Sequence, residues 1–201
     1  MNLEEIRVLA KRTLEGPDER PQWLKDLEGG TDPREPYFHF MWLLAQTLKP
    51  KQSLEIGTRG GKTAMHLAHG NPDGFVLTVD INPGCKDEVA RIAGEHGVQN
   101  VRGIFGDSLN VQLNWGIDGM SPVDLLFIDG AHTYEASYMD YLRFRSIVCN
   151  GGVIVFDDTR LDKDMNRAWN KIVDPKIELP ELHYMGFGVA IKDASLEPLP
   201  L

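Results

Sequence analysis

Cysteine is scarce: Cys85 and Cys149 are the only two in 201 residues. That is too few for a disulfide framework in a chain this long, and neither belongs to a CxxC pair or a zinc-ligand cluster. Both are expected to be reduced thiols. Positive charge is scarce as well, with 21 Lys and Arg against 30 Asp and Glu and a formal net charge of −9. The most basic-looking stretch, LRFRSIV, carries only Arg143 and Arg145, so no nucleic acid partner is expected. Long apolar runs are missing too. The start, MNLEEIRVLAKRTLEG, mixes acids, bases and apolar residues unlike a secretory leader, and no segment has the length a bilayer span needs. No membrane partner is expected, and the expected location is the cytoplasm. Internal repeats and low-complexity segments are absent.

What remains is an ordinary globular composition, 42% hydrophobic and 25% charged, which suits one domain over residues 1–201. Leu3, Ile6, Leu9, Ala10, Thr13 and Leu14 recur at helical spacing until Gly16-Pro17, a helix stop followed by a turn. Residues 16–35 read as a loop with one short helix near 23–27. PYFHFMWLLAQTLK is apolar nearly all round and reads as a buried helix ending before Pro50. Residues 1–50 are thus expected as an N-terminal helical cap, and its apolar, aromatic helices are the expected face for a homodimer.

Beyond residue 50, short β-branched runs alternate with amphipathic ones. SLEIG, FVLTVDI, NVRGIFG, VDLLFID and GVIVFDD are apolar on both faces and bounded by turn residues, as buried parallel strands are. Helices are expected between them near 62–69, 86–96, 108–115 and 134–149, with another near 163–173. HYMGFGVAIKD reads as a final strand pair joined at Met185-Gly186-Phe187. This alternation predicts an α/β fold with a mostly parallel sheet, helices on both faces and right-handed crossovers.

Ligands of such sheets lie beyond the carboxyl ends of the strands, where this sequence places Glu55, Gly57, Asp80, Asp107, Asp129, Asp157 and Asp158. Asp also caps helices and tolerates turns, but that explains five strand ends in register poorly. GTRGGKT at 57–63 looks like a phosphate loop one residue short. Ile56 stands where the first glycine of that loop belongs, and nearby Glu55, Asp80 and Asp107 would oppose a triphosphate. The dinucleotide fingerprint GxGxxG is absent as well, although Asp80 stands where a ribose diol would be held. A ligand with a ribose, a positive charge and no phosphate fits better, and S-adenosylmethionine has that description.

These residues carry a resemblance that spans about 36–192. LEIGTRGGKT, VLTVDINP, GDS at 106–108, DLLFIDGAHTYEASYMDYLRF and GGVIVFDDT are similar to motifs of class I S-adenosylmethionine-dependent methyltransferases. Within that class the chain resembles the small metal-dependent O-methyltransferases, those of macrolide sugars and, more distantly, of catechols. The resemblance implies a Rossmann-like seven-stranded sheet and transfer of a methyl group to a hydroxyl of a small-molecule acceptor. It places Glu55, Gly57, Thr58, Arg59 and Gly60 at the methionine end of the cofactor, Asp80 at the ribose, and Asp107 and Ser108 at the adenine edge. Asp107 and Ser108 are alternatively a helix cap.

Asp129, from the fourth strand, has a place beside the cofactor and, with Asp157 and Asp158, in a cation site. Three carboxylates at neighbouring strand ends repel unless a divalent cation neutralises them, and hard oxygen donors point to Mg2+ or Mn2+. The resemblance makes His132 the base that removes the hydroxyl proton. His66 and His69 are expected on a helix surface, and His39 and His183 near the acceptor. Two readings stay open beside this one: a metal-independent N- or O-methyltransferase, and a cofactor-binding module without catalysis.

Overall fold

The computed structural model describes residues 1–29, 36–110 and 122–201. The chain begins with α1 (Leu3–Glu15), α2 (Gln22–Asp26) and α3 (Tyr37–Leu48). A reciprocal cap starts α1: the Asn2 side chain accepts from the Glu4 and Glu5 backbone N–H groups, and the Glu5 carboxylate accepts from Asn2 N–H at 2.8 Å. In α3 every residue from Phe38 to Ala45 is buried. A helix without a polar face needs cover on all sides, and here the sheet, α1 and α4 supply it.

The rest of the chain is β1 (Gln52–Ile56), α4 (Lys62–Gly70), β2 (Phe75–Asp80), α5 (Pro83–His96), β3 (Val101–Phe105), β4 (Val123–Ile128), α6 (Tyr134–Arg145), β5 (Val148–Asp157), α7 (Lys163–Lys171), β6 (Lys176–Glu178) and β7 (Phe187–Ile191). The strands form one seven-stranded sheet in the order β3-β2-β1-β4-β5-β7-β6. β1 to β5 are parallel, while β7 runs antiparallel to both β5 and β6. This is the mostly parallel α/β fold expected from the alternation, with the seven-stranded Rossmann-like sheet that the resemblance implied.

Successive strand side chains point to opposite faces, which divides the core in two. Leu125 and Phe127 join the cluster under α1, α3, α4 and α5. Leu126 and Ile128 join the cluster under α6 and α7. Each fully buried Leu or Phe contributes roughly 1.5–3 kcal/mol relative to an exposed one, so both faces are strongly held.

Two expectations about elements need correction. The helix expected over 134–149 stops at Arg145, because Val148 already pairs with Val123 as the first residue of β5. The register between β4 and β5 then shifts, and Gly151, at φ +78°, sits within the irregular stretch. The last strand pair is not joined at 185–187. Its strands are β6 and β7, and residues 179–186 connect them. Of the helix expected at 108–115, residues 111–115 lie outside the described residues; Asn110 N–H bonds Asp107 O at 2.9 Å in a turn. Both cysteines are free, as expected. Among the described residues no helix is long and apolar enough to cross a membrane.

Candidate active site

The strand order reverses between β1 and β4, and the crevice of a doubly wound sheet opens at such a point. Gly57 ends β1 there with φ +97° and donates to Val79 O at 2.9 Å, while Asp129 N–H donates to Ile56 O at 2.8 Å. The following turn is tight. Gly61 N–H bonds Thr58 O at 2.7 Å, and both Arg59 (φ +45°) and Gly61 (φ +72°) adopt left-handed conformations. Asp80, at the end of β2, ties this turn down by accepting from Arg59 N–H at 2.8 Å and from Asn82 N–H at 2.7 Å.

Two cavities flank the turn. One of about 430 Å3 is bounded by Ile56, Val79, Asp80, Gly106, Asp107, Ser108 and Gly130. The other, about 500 Å3, reaches Glu55, Lys62, Asp157, Asp158 and His183 under walls from Tyr37, Phe38, Leu161, Tyr184 and Met185. Gly57, Arg59, Asp129 and His132 line both. A ligand lying across this partition would therefore touch the expected ribose and adenine residues at one end and the acidic cluster at the other.

Glu55 is 1% exposed, and its Oε2 has no hydrogen-bond partner. Burial, reinforced by the nearby charges of Asp129 and Asp80, pushes its pKa up to about 8. Asp107 caps its own turn, accepting from Leu109 N–H at 3.0 Å. Ser108 donates to Asp140 Oδ1 at 2.7 Å.

The carboxyl ends of β4 and β5 bring Asp129, Asp157 and Asp158 together with two histidines. His132 Nε2 lies 3.5 Å from Asp129 Oδ1 and 3.4 Å from Asp158 Oδ2. His183 Nδ1 lies 3.0 Å from Asp157 Oδ1 and 3.5 Å from Asp158 Oδ1. Asp158 reaches both through a left-handed backbone, φ +56°, a conformation Asp tolerates better than most residues. Burial and the Asp157 charge raise the Asp129 pKa against the opposing pull of His132. The hydrogen bond to Asp129 raises that of His132 although burial works the other way. Asp157 Oδ1 is buried without a hydrogen-bond partner. Hard oxygen donors, crowded negative charge and an unsatisfied buried carboxylate oxygen fit a divalent cation.

The sequence misplaced three residues. His66, expected on the surface, is fully buried; its Nδ1 meets Lys62 O at 2.8 Å and its Nε2 lies 2.9 Å from Arg20. His69 is half-buried and accepts from the Trp42 indole N–H at 3.0 Å. His39, expected near the acceptor, lines neither cavity and is buried 3.8 Å from Asp18 Oδ1. His183 lines the larger cavity beside the aromatic Tyr37, but no local pattern foretold its approach to Asp157.

Residues 54–159 match the methyltransferase domain family. The catechol O-methyltransferase of Mycobacterium tuberculosis is 31% identical over 125 residues, 59% of this chain and 53% of that protein; the match thus spans about half the length of the curated relative. Among solved structures, the O-methyltransferase TomG of Streptomyces achromogenes, in complex with SAM, is similar with a TM-score of 0.70. It is 20% identical, with 95% of this chain and 98% of that one covered. The O-methyltransferase of Bacillus cereus, in complex with SAH, follows at a TM-score of 0.64 and 22% identity over 95% and 90% of the two chains. With the matched segment running from the end of β1 through the acidic cluster, more than half of its residues, the chain belongs to the methyltransferase domain family.

Proposed function

We propose that the chain is an S-adenosylmethionine-dependent O-methyltransferase that methylates a hydroxyl of a small molecule with the help of a divalent cation, Mg2+ or Mn2+. The observation that carries this reading is the partition: one turn, Gly57 to Arg59, separates a cavity ending at Asp80 and Asp107 from one floored by Asp129, Asp157 and Asp158. The SAM and SAH of the two similar structures, and the names of the relatives, support it.

S-adenosylmethionine supplies an electrophilic methyl group on a sulfonium. Asp80 keeps acceptor capacity beyond its two backbone bonds, and a carboxylate accepting from two ribose hydroxyls makes charge-assisted bonds. Asp107 and Ser108 stand at the far end of that cavity, toward the adenine. Burial and nearby acids disfavour the charged form of Glu55, and the ammonium at the amino acid end of the cofactor would favour it. Gly57 and Gly60 allow the backbone of the turn to approach that end closely.

Asp129, Asp157 and Asp158 would hold the cation, which neutralises them and makes a nearby hydroxyl more acidic. His132 takes the hydroxyl proton on its ring, and the carboxylates that raise its pKa make it a stronger base. Tyr37, Phe38, Leu161 and Met185 give the acceptor an apolar wall and exclude water from the reacting oxygen. The test is transfer of a labelled methyl group from S-adenosylmethionine to a panel of sugars, catechols and simple phenols, with and without a chelator. Calorimetric titration with S-adenosylmethionine and with ATP accompanies it, and binding of ATP alone would overturn the proposal.

A further inference from the structure

His183 enters the acidic cluster from the connection between β6 and β7. Because β7 returns antiparallel beside β5, the residues just before it come back to the carboxyl end of β5, where Asp157 pairs with Phe187. Two backbone bonds fasten that connection to the segment after β5: Thr159 N–H to Gly186 O at 3.3 Å and Arg160 N–H to Met185 O at 2.7 Å. Gly186 makes the approach possible with φ +91°, since a Cβ there would meet Thr159 Oγ1 at 2.4 Å. A turn closed by Gly186 N–H on His183 O, at 2.9 Å, then sets the imidazole against Tyr37, with ring centroids 5.2 Å apart. His183 is 8% exposed. Its place is built by the fold.

His183 Nδ1, Asp157 Oδ1 and one Asp158 oxygen all lie within 4.8 Å of one another. Asp157 Oδ1 and His183 Nδ1 stand 3.0 Å apart, yet Asp157 Oδ1 accepts no hydrogen bond. Two ligands each about 2.1 Å from an ion and at right angles to one another are roughly 3.0 Å apart. Asp158 offers Oδ1 to this group while its Oδ2 faces His132, so one carboxylate joins the cation site to the base. His132 is the more exposed histidine, its side chain 38% accessible against 10% for His183.

We infer that His183 ligates the cation through Nδ1 together with Asp157 and Asp158, giving a site of mixed nitrogen and oxygen donors that prefers a first-row transition dication to Mg2+. The inference rests on the proposed reading of the acidic cluster as a cation site and goes beyond it in naming a nitrogen ligand and a metal class. Imidazole suits ions such as Co2+, Ni2+ and Zn2+, whereas Mg2+ favours oxygen donors and retains its waters.

Calorimetry of the whole protein with Co2+ and with Mg2+, without cofactor or acceptor, tests this apart from activity. Co2+ should bind at least about tenfold more tightly than Mg2+. His183→Gln and His183→Ala should weaken Co2+ by at least about tenfold, the low end of the loss caused by removing even an outer partner of a metal ligand. Mg2+ affinity should move less. In the Co2+ protein with 15N-labelled histidine, wild type should show a hyperfine-shifted Nε2–H resonance from His183; this measurement needs no folded variant. Folded His183 variants that bind Co2+ like wild type, or a wild-type spectrum without that resonance, would overturn the inference. Asp157→Ala separates the two levels: if it loses Co2+ while the His183 variants keep it, only the histidine ligand is wrong. If it also keeps Co2+, the cation site itself is wrong.

Discussion

A Cβ atom on Gly57 would stand 1.9 Å from the carbonyl oxygen of Asp129. The end of β1 and the end of β4 thus touch backbone to backbone where the two cavities meet, at a residue already in the left-handed region with φ +97°. Gly57→Ala must push the strand ends apart in addition to meeting backbone strain of order 1–3 kcal/mol. The expected result is a loss of at least that stability in urea unfolding and a loss of S-adenosylmethionine binding in calorimetry.

Asp80 is expected to govern cofactor affinity. Removing a charged hydrogen-bond partner costs about 1.5–3 kcal/mol, so Asp80→Ala should raise the dissociation constant for S-adenosylmethionine by roughly tenfold to a hundredfold. Because Asp80 also holds Arg59 N–H, Asp80→Asn, which keeps an acceptor oxygen, should lose less. Equal binding by wild type and Asp80→Ala would remove the ribose role.

Asp157→Ala and His132→Ala should separate binding from chemistry. Both are expected to keep S-adenosylmethionine affinity within a few fold while methyl transfer falls, by about a hundredfold or more for loss of the base. Near-normal turnover of His132→Ala at neutral pH would remove the base assignment, and loss of cofactor binding in Asp157→Ala would move that residue to another role.

Arg145 and Asp174 form a buried ion pair that anchors α6 to the C-terminal segment. Asp174 accepts from Arg145 Nε and Nη2, each at 2.8 Å, from the Tyr141 hydroxyl at 2.8 Å and from Asp193 N–H at 2.9 Å. Asp174→Ala strands the guanidinium and should cost roughly 3–5 kcal/mol in chemical unfolding. Burial works to raise the Asp174 pKa, but these bonds outweigh it and hold it below the usual carboxylate value. A depressed carboxylate stabilises the fold above its unfolded pKa of about 3.9 and loses that contribution as the pH falls further. The Asp174→Ala protein should therefore show a shallower loss of stability below about pH 4.

Two buried histidines give a second pH window. Burial lowers the pKa of His66 and of His39, and for each it outweighs an acidic neighbour, Glu28 and Asp18 respectively. Arg20, which bonds Asp18 and Glu28 and lies beside His66, also opposes a charge on either ring. With folded values below the unfolded one near 6.5, this contribution is present above about pH 6.5 and lost as the pH falls. Raised carboxylate pKa values such as that of Glu55 work in the opposite direction, so the histidine contribution is read as a difference: in urea unfolding at pH 7.5, 6.5 and 5.5 the stability of wild type relative to His66→Gln should fall with pH. A difference that does not change with pH would contradict this account.

The five parallel strands, the buried helix α3 and the glycine turn were legible because each depends on local pattern. β-branched runs apolar on both faces have few alternatives to a covered parallel strand, and the ends of those runs put an acidic residue at or near each strand end. The end of α6 was not legible. Arg143, Phe144 and Arg145 continue a helical pattern, and only pairing of Val148 with Val123 turns the following residues into a strand. His66 shows the same limit: a polar residue on a short helix reads as surface until Arg20 and Glu28, far away in sequence, arrive to satisfy it.

By itself the sequence determined the α/β alternation, the glycine turn and the acidic strand ends, since all of these are set within about ten residues by periodicity and backbone preference. Tertiary structure alone decided what those ends face. It divided the crevice at Gly57 into two cavities, left Asp157 Oδ1 buried without a hydrogen bond, and carried His183 back from the β6–β7 connection to within 3.0 Å of it. That last approach depends on an antiparallel strand returning beside β5, a contact between residues 26 apart that no local pattern encodes.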